Sequence, residues 1–174
     1  MSTSTLSTET ARSWLAGRLP QDWFDGEPTI TIDRDEILVV GALSDPKLAD
    51  DASDADRAAA RDGRARQFRE DTRSRRMEIA NELEHATGRK VAWGVELGDE
   101  RKVFTSLAAP VMTRLRQTER QVLDTLVDAG VARSRSDALG WCVRLVGQHS
   151  HDWLDELRRA LEQVEQVRTT GPDT

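Results

Sequence analysis

Apolar residues recur along this chain with two different periods, and the period changes mark the elements. Residues 11–19 place Trp14, Leu15 and Leu19 at helical spacing and run into Pro20, which predicts a short helix followed by anchoring aromatics at Trp23 and Phe24. Thr29-Ile30-Thr31-Ile32 alternates with period two, and Ile37-Leu38-Val39-Val40 is a second β-rich run. Asp33-Arg34-Asp35-Glu36 between them reads as a four-residue hairpin loop, with Gly41 as the end of the second strand. From residue 54 to 86 the pattern predicts one long helix with Asp54 as N-cap, Gly88 just past its end and Gly63 as a weak point. Its apolar side is Phe68, Thr72, Met77, Ile79, Ala80 and Leu83. Residues 91–95 and 102–105 flank Gly98-Asp99-Glu100, the mark of a second hairpin. The expected fold class is therefore α+β, with a ββαββ unit over residues 11–107.

The remaining third has a different grammar. Pro110-Val111-Met112-Thr113-Arg114-Leu115-Arg116 predicts a short strand with Val111, Thr113 and Leu115 on one face and Met112, Arg114 and Arg116 on the other. Thr118-Glu119-Arg120-Gln121 opens a helix whose stripe is Val122, Leu123, Leu126 and Val127, with Gly130 at C′. Ser134 stands three residues before Asp137, a capping-box-like start, and Leu139, Cys142, Val143 and Val146 follow at helical spacing. A further helix, carrying Trp153, Leu154, Leu157 and Leu161, is predicted over residues 152–167.

This strand, helix, turn and capped helix, over residues 110–148, resembles the ribbon-helix-helix repressors in the order and spacing of its elements; "ARSRSDAL" is the most suggestive stretch. The resemblance implies an interlocked homodimer whose paired strands enter the major groove of DNA. It makes Met112, Arg114 and Arg116 the candidates for base-edge contact, and Ser134, Arg135 and Ser136 the candidates for phosphate anchoring at a helix N-terminus. The function expected from it is transcriptional regulation through DNA binding, without catalysis. Gly140 inside the second helix and Met112 as a reader depart from the pattern.

Composition and charge reshape that expectation. The net charge is −6, so bulk positive potential is not the means of any nucleic-acid binding. The acid is concentrated at the front: residues 1–54 carry about −7, whereas 55–90 carry about +3. An alternative follows, in which the carboxy-terminal segment is only an oligomerisation module and the acidic front half is a surface for a protein partner. The single cysteine, Cys142, excludes an intrachain disulfide and a multi-cysteine zinc site, and no signal peptide or apolar span is visible. A cytoplasmic location without a membrane partner is expected. The chain divides on this reading into a disordered start at 1–10, the ββαββ unit at 11–107 with an acidic linker near 44–54, the ribbon-helix-helix-like segment with its closing helix at 108–168, and a disordered tail at 169–174.

Other chemistry is thin. His149 and His151 lie near Asp152, but positions i and i+2 diverge on a helix, so a polar helix junction is the better reading than a metal site. Cys142 lies on an apolar stripe, which reads as core, and the carboxylates of 45–56 form no oriented acid–base pair. No cofactor is expected. Arg57, Arg61 and Arg64 share one helical face, and Arg66, Arg69, Arg73 and Arg76 another; phosphate tracking and intrahelical ion pairing both fit these arginines.

Overall fold

The computed structural model describes residues 8–170, and the chain is α+β. The stretches expected to be disordered lie mostly outside the described residues; of those inside, 8–10 belong to the first helix and 169–170 to the last. Two compact units, Met1–Pro110 and Val111–Thr174, divide the chain.

The first unit runs α1 (Thr8–Arg18), β1 (Thr29–Ile32), β2 (Glu36–Ala42), α2 (Asp54–Asp71), α3 (Arg73–Thr87), β3 (Lys90–Leu97) and β4 (Glu100–Val103). Its four strands form one sheet in chain order, antiparallel at both edges and parallel between β2 and β3. A parallel pair needs a long crossover, which α2 and α3 provide. The register sets Val39 beside Trp93 and Ile37 beside Val91. Helical side chains from Ala11, Leu15, Ile79 and Leu83 bury against Ile37, Val39 and Trp93, and a second cluster joins Ala65 and Phe68 to Leu43, Val95 and Leu97.

The β1–β2 loop is three residues long instead of four, because Asp33 folds it: the Asp33 carboxylate accepts from the N–H groups of Asp35 and Glu36 at 2.8 and 2.7 Å. Gly41 lies within β2 instead of ending it, and Phe24 covers it. An added Cβ there would stand 2.1 Å from the Phe24 ring.

The predicted long helix is two. Ser53, not Asp54, is the N-cap, exchanging hydrogen bonds with Asp56 in a capping box. Gly63 leaves the helix intact; the interruption is at Thr72, at φ −93° and ψ 0°, whose hydroxyl and N–H both donate to the Phe68 carbonyl, at 2.6 and 3.1 Å. The acidic stretch before α2 is docked at its start and is no free linker there. Leu43 is buried and donates to the Glu96 carbonyl, and Arg61 holds the Asp45 carboxylate with two bonds of 2.9 Å. That pairing lowers the pKa of Asp45 and raises that of Arg61.

The second unit contains α4 (Gln117–Asp128), α5 (Arg135–His149) and α6 (His151–Thr170). Gly130, at φ +72°, turns the chain out of α4: its N–H reaches the Val127 carbonyl and that of Val131 reaches Leu126, a Schellman closure. Leu123, Ala132 and Ala138 are the buried centre, with Leu115, Leu126, Val127, Leu139 and Cys142 packed around it. The strand expected over residues 110–116 is not formed: these residues precede α4 outside any sheet. A strand needs a pairing partner for its N–H and C=O groups, and the described residues supply none here.

Candidate nucleic-acid interface

The approach to α4 is fixed by two local contacts. The Glu119 carboxylate accepts from the Arg116 N–H at 2.6 Å, and Arg120 Nη1 donates to the Leu115 carbonyl at 2.7 Å. Leu115 is thereby turned toward the helical core, while Arg116, extended at φ −76° and ψ 170°, points its guanidinium to solvent. Arg114 is exposed as well, and Met112 is 97% exposed. The alternation expected of this segment is therefore present at Arg114, Leu115 and Arg116. Val111, expected on the same face as Leu115, is 85% exposed. Glu119 and Arg120 were not foreseen as positioning residues, although a carboxylate three residues after an N-cap is a recognisable signal.

The second group of candidates sits at the start of α5. Ser134 is the N-cap: its hydroxyl accepts from the Asp137 N–H at 3.2 Å, and the Asp137 carboxylate accepts from the Arg133 N–H at 3.0 Å. Ser136 is exposed. Arg135 is exposed and is also engaged within the unit. It forms a two-pronged pair with Asp124 of α4, Nε to Oδ1 at 2.6 Å and Nη2 to Oδ2 at 2.8 Å. The shared hydrogen bonds raise the pKa of Arg135 and lower that of Asp124.

His149 and His151 lie at the α5–α6 junction. Ser150 is the C-cap of α5, Leu154 N–H bonds back to it, and His151 Nε2 lies 3.2 Å from Asp155. Among the described residues no group of three or more His, Cys, Asp or Glu side chains could hold a metal ion. Cys142 is half-buried in the helical core. In the first unit, an open cleft of about 560 Å³ lies between α1 and β1, with Arg12 and Glu27 beside Leu19, Phe24 and Ile30. No described helix is long and apolar enough to cross a membrane.

Comparison with known proteins divides the chain as the structure does. Residues 9–103 match the family model described as Rv1265-like protein, N-terminal domain, and residues 116–168 match the Mb1296 C-terminal domain. The proteins Rv1265 of Mycobacterium tuberculosis and Mb1296 of Mycobacterium bovis, both named as uncharacterized, are each 58% identical over 163 residues, covering 94% of this chain and 70% of theirs. No solved structure matches. With both units matched and identity running through nearly the whole chain, this protein belongs to the Rv1265-like family.

Proposed function

We propose that this chain is a cytoplasmic, non-enzymatic transcriptional regulator that binds DNA as a homodimer, through a ribbon made when residues 110–116 pair with the same residues of a second copy. The observation that carries this reading is the segment before α4: backbone outside any sheet, Leu115 turned inward, and Met112, Arg114 and Arg116 outward. Pairing would give the backbone of residues 110–114 ladder hydrogen bonds and cover Val111, while leaving two arginine forks per chain on one face for base edges. The two capped helices that follow fit the ribbon-helix-helix order, and the ββαββ arrangement of the first unit would serve to sense a ligand or adjust assembly. No cofactor is required.

A second reading is favoured by Arg135. Its guanidinium is held by Asp124, so one expected phosphate anchor is spent inside the subunit. On that reading the unit only dimerises, and the acidic front half meets a protein partner. Fluorescence anisotropy of the full chain with a random duplex and a genomic pool, across a salt series, separates the two. DNA reading predicts steep salt dependence that an Arg114→Ala/Arg116→Ala dimer loses. Absence of binding by the wild type at low salt rejects it.

A further inference from the structure

Arg61 near the middle of α2 is surrounded by Asp45, Asp99 and Glu100, and Arg75 pairs with Glu78, whereas Arg69, Arg73 and Arg76 around the Thr72 interruption have no such company among the described residues. Arg76 is only 7% exposed. Its Nε donates to the Thr72 hydroxyl at 2.9 Å, its Nη2 donates to the Arg69 carbonyl at 2.6 Å, and its guanidinium carbon lies 5.0 Å from the centre of the Phe104 ring. The Arg69 guanidinium lies 5.7 Å from the same ring. A hydroxyl, a carbonyl and an aromatic face orient a cation but do not neutralise it. Among the described residues Arg69, Arg73 and Arg76 form no ion pair, and the charges that act on Arg76 are those of Arg69 and Arg73. Burial, reinforced by that repulsion, pushes the Arg76 pKa down to about 10.

A desolvated cation beside two like charges is costly unless a counter-charge arrives. Arg76 Nη1 makes no hydrogen bond to protein, and among the described residues no fully buried side-chain nitrogen or oxygen lacks a partner, so Nη1 keeps some contact with solvent. We propose that Arg69, Arg73 and Arg76, beside Phe104, form a binding site for a small phosphate-type oxyanion, free phosphate or a phosphate monoester. The oxyanion takes Nη1 of Arg76 as its fixed donor, and the exposed Arg69 and Arg73 side chains close on it with paired N–H donors. The site lies wholly in the first unit and is independent of the DNA-binding reading.

The test is calorimetric titration of the full chain with inorganic phosphate and with phenyl phosphate, at ionic strength held constant with sodium chloride, together with thermal melts. Saturable binding is expected, weakened about tenfold in Arg73→Ala by loss of one charged hydrogen-bond donor. Because Arg73 is exposed and only repels Arg76, Arg73→Ala should melt no lower than wild type without phosphate, which a merely structural arginine would not do. Tighter phenyl phosphate identifies a monoester as the ligand class, and equal affinities identify free phosphate. No saturation by either compound beyond the chloride control, or saturation unchanged in Arg73→Ala, overturns the proposal.

Discussion

Asp124 of α4 and Arg135 of α5 meet fork to carboxylate, with two nearly parallel hydrogen bonds of 2.6 and 2.8 Å. The pair bridges the turn between these helices, so its chemistry bears on how firmly α5 is held against α4. Pairing depresses the Asp124 pKa in the folded state, so its contribution is full above the ordinary carboxylate range and is lost as pH falls through the lowered value. A double-mutant cycle of Asp124→Asn and Arg135→Gln by urea denaturation should show favourable coupling at neutral pH that fades as the pH falls below the ordinary carboxylate range. Coupling that survives in acid would mean that the contact is held by packing instead of charge.

Phe24 and Gly41 make a second exacting contact. The ring occupies the space that a side chain at 41 would need, with the nearest carbon 2.1 Å from an added Cβ. Gly41→Ala should destabilise the protein by about 1–3 kcal/mol, the usual cost of overpacking. Adding Phe24→Leu to Gly41→Ala should recover part of that loss, and chemical denaturation of the three variants measures it. Full additivity of the two changes would sink the steric account.

Local signals in the sequence carried most of the elements but not their joints. The alternation at Thr29–Ile32 and the helical stripe of Leu123, Leu126 and Val127 are visible because each depends on one period and one buried face. The break at Thr72 was hidden: the residue takes φ −93° and ψ 0°, and threonine in a helix does not announce that geometry, whereas Gly63 drew attention and proved harmless. The docking of Asp45 by Arg61 was equally hidden, since it joins residues 16 apart through folding of the intervening chain. At the candidate interface, the outward placement of Arg114 and Arg116 followed from parity alone, but the capture of Arg135 by Asp124 needed the turn geometry. Arg69, Arg73 and Arg76 shared a face by spacing; only the fold revealed that Arg76 is buried and lacks an acid.

Ser134 and Ser136 stand two residues apart with different duties. Ser134 caps α5, and Ser134→Ala should cost about 1 kcal/mol of stability in a denaturant melt. Ser136 is exposed, so Ser136→Ala should leave the melt within about 0.5 kcal/mol of wild type. On the DNA-binding reading, Ser136→Ala instead weakens duplex affinity across all sequences, as loss of a phosphate contact does. Equal affinity of wild type and Ser136→Ala would remove Ser136 from the interface.

The proposed dimer is tested most directly at Val111. It is 85% exposed, on the face expected to be shared with Leu115, while the second unit buries only Leu123, Ala132 and Ala138 as its apolar centre among the described residues. So small a centre gives the second unit by itself little hydrophobic stabilisation, and removing Val111 from water would add about 1.5–3 kcal/mol per chain. The proposed ribbon places Val111 of one copy against the other, so its melting temperature should rise with protein concentration, as linkage to association requires. Val111→Glu would set a carboxylate into that contact. It should shift the dimer to monomer in sedimentation equilibrium by at least about tenfold in dissociation constant, while leaving the first unit's melting unchanged. A Val111→Glu protein that dimerises as tightly as wild type would place the dimer contact elsewhere and take the ribbon, and the DNA-reading face built on it, down together.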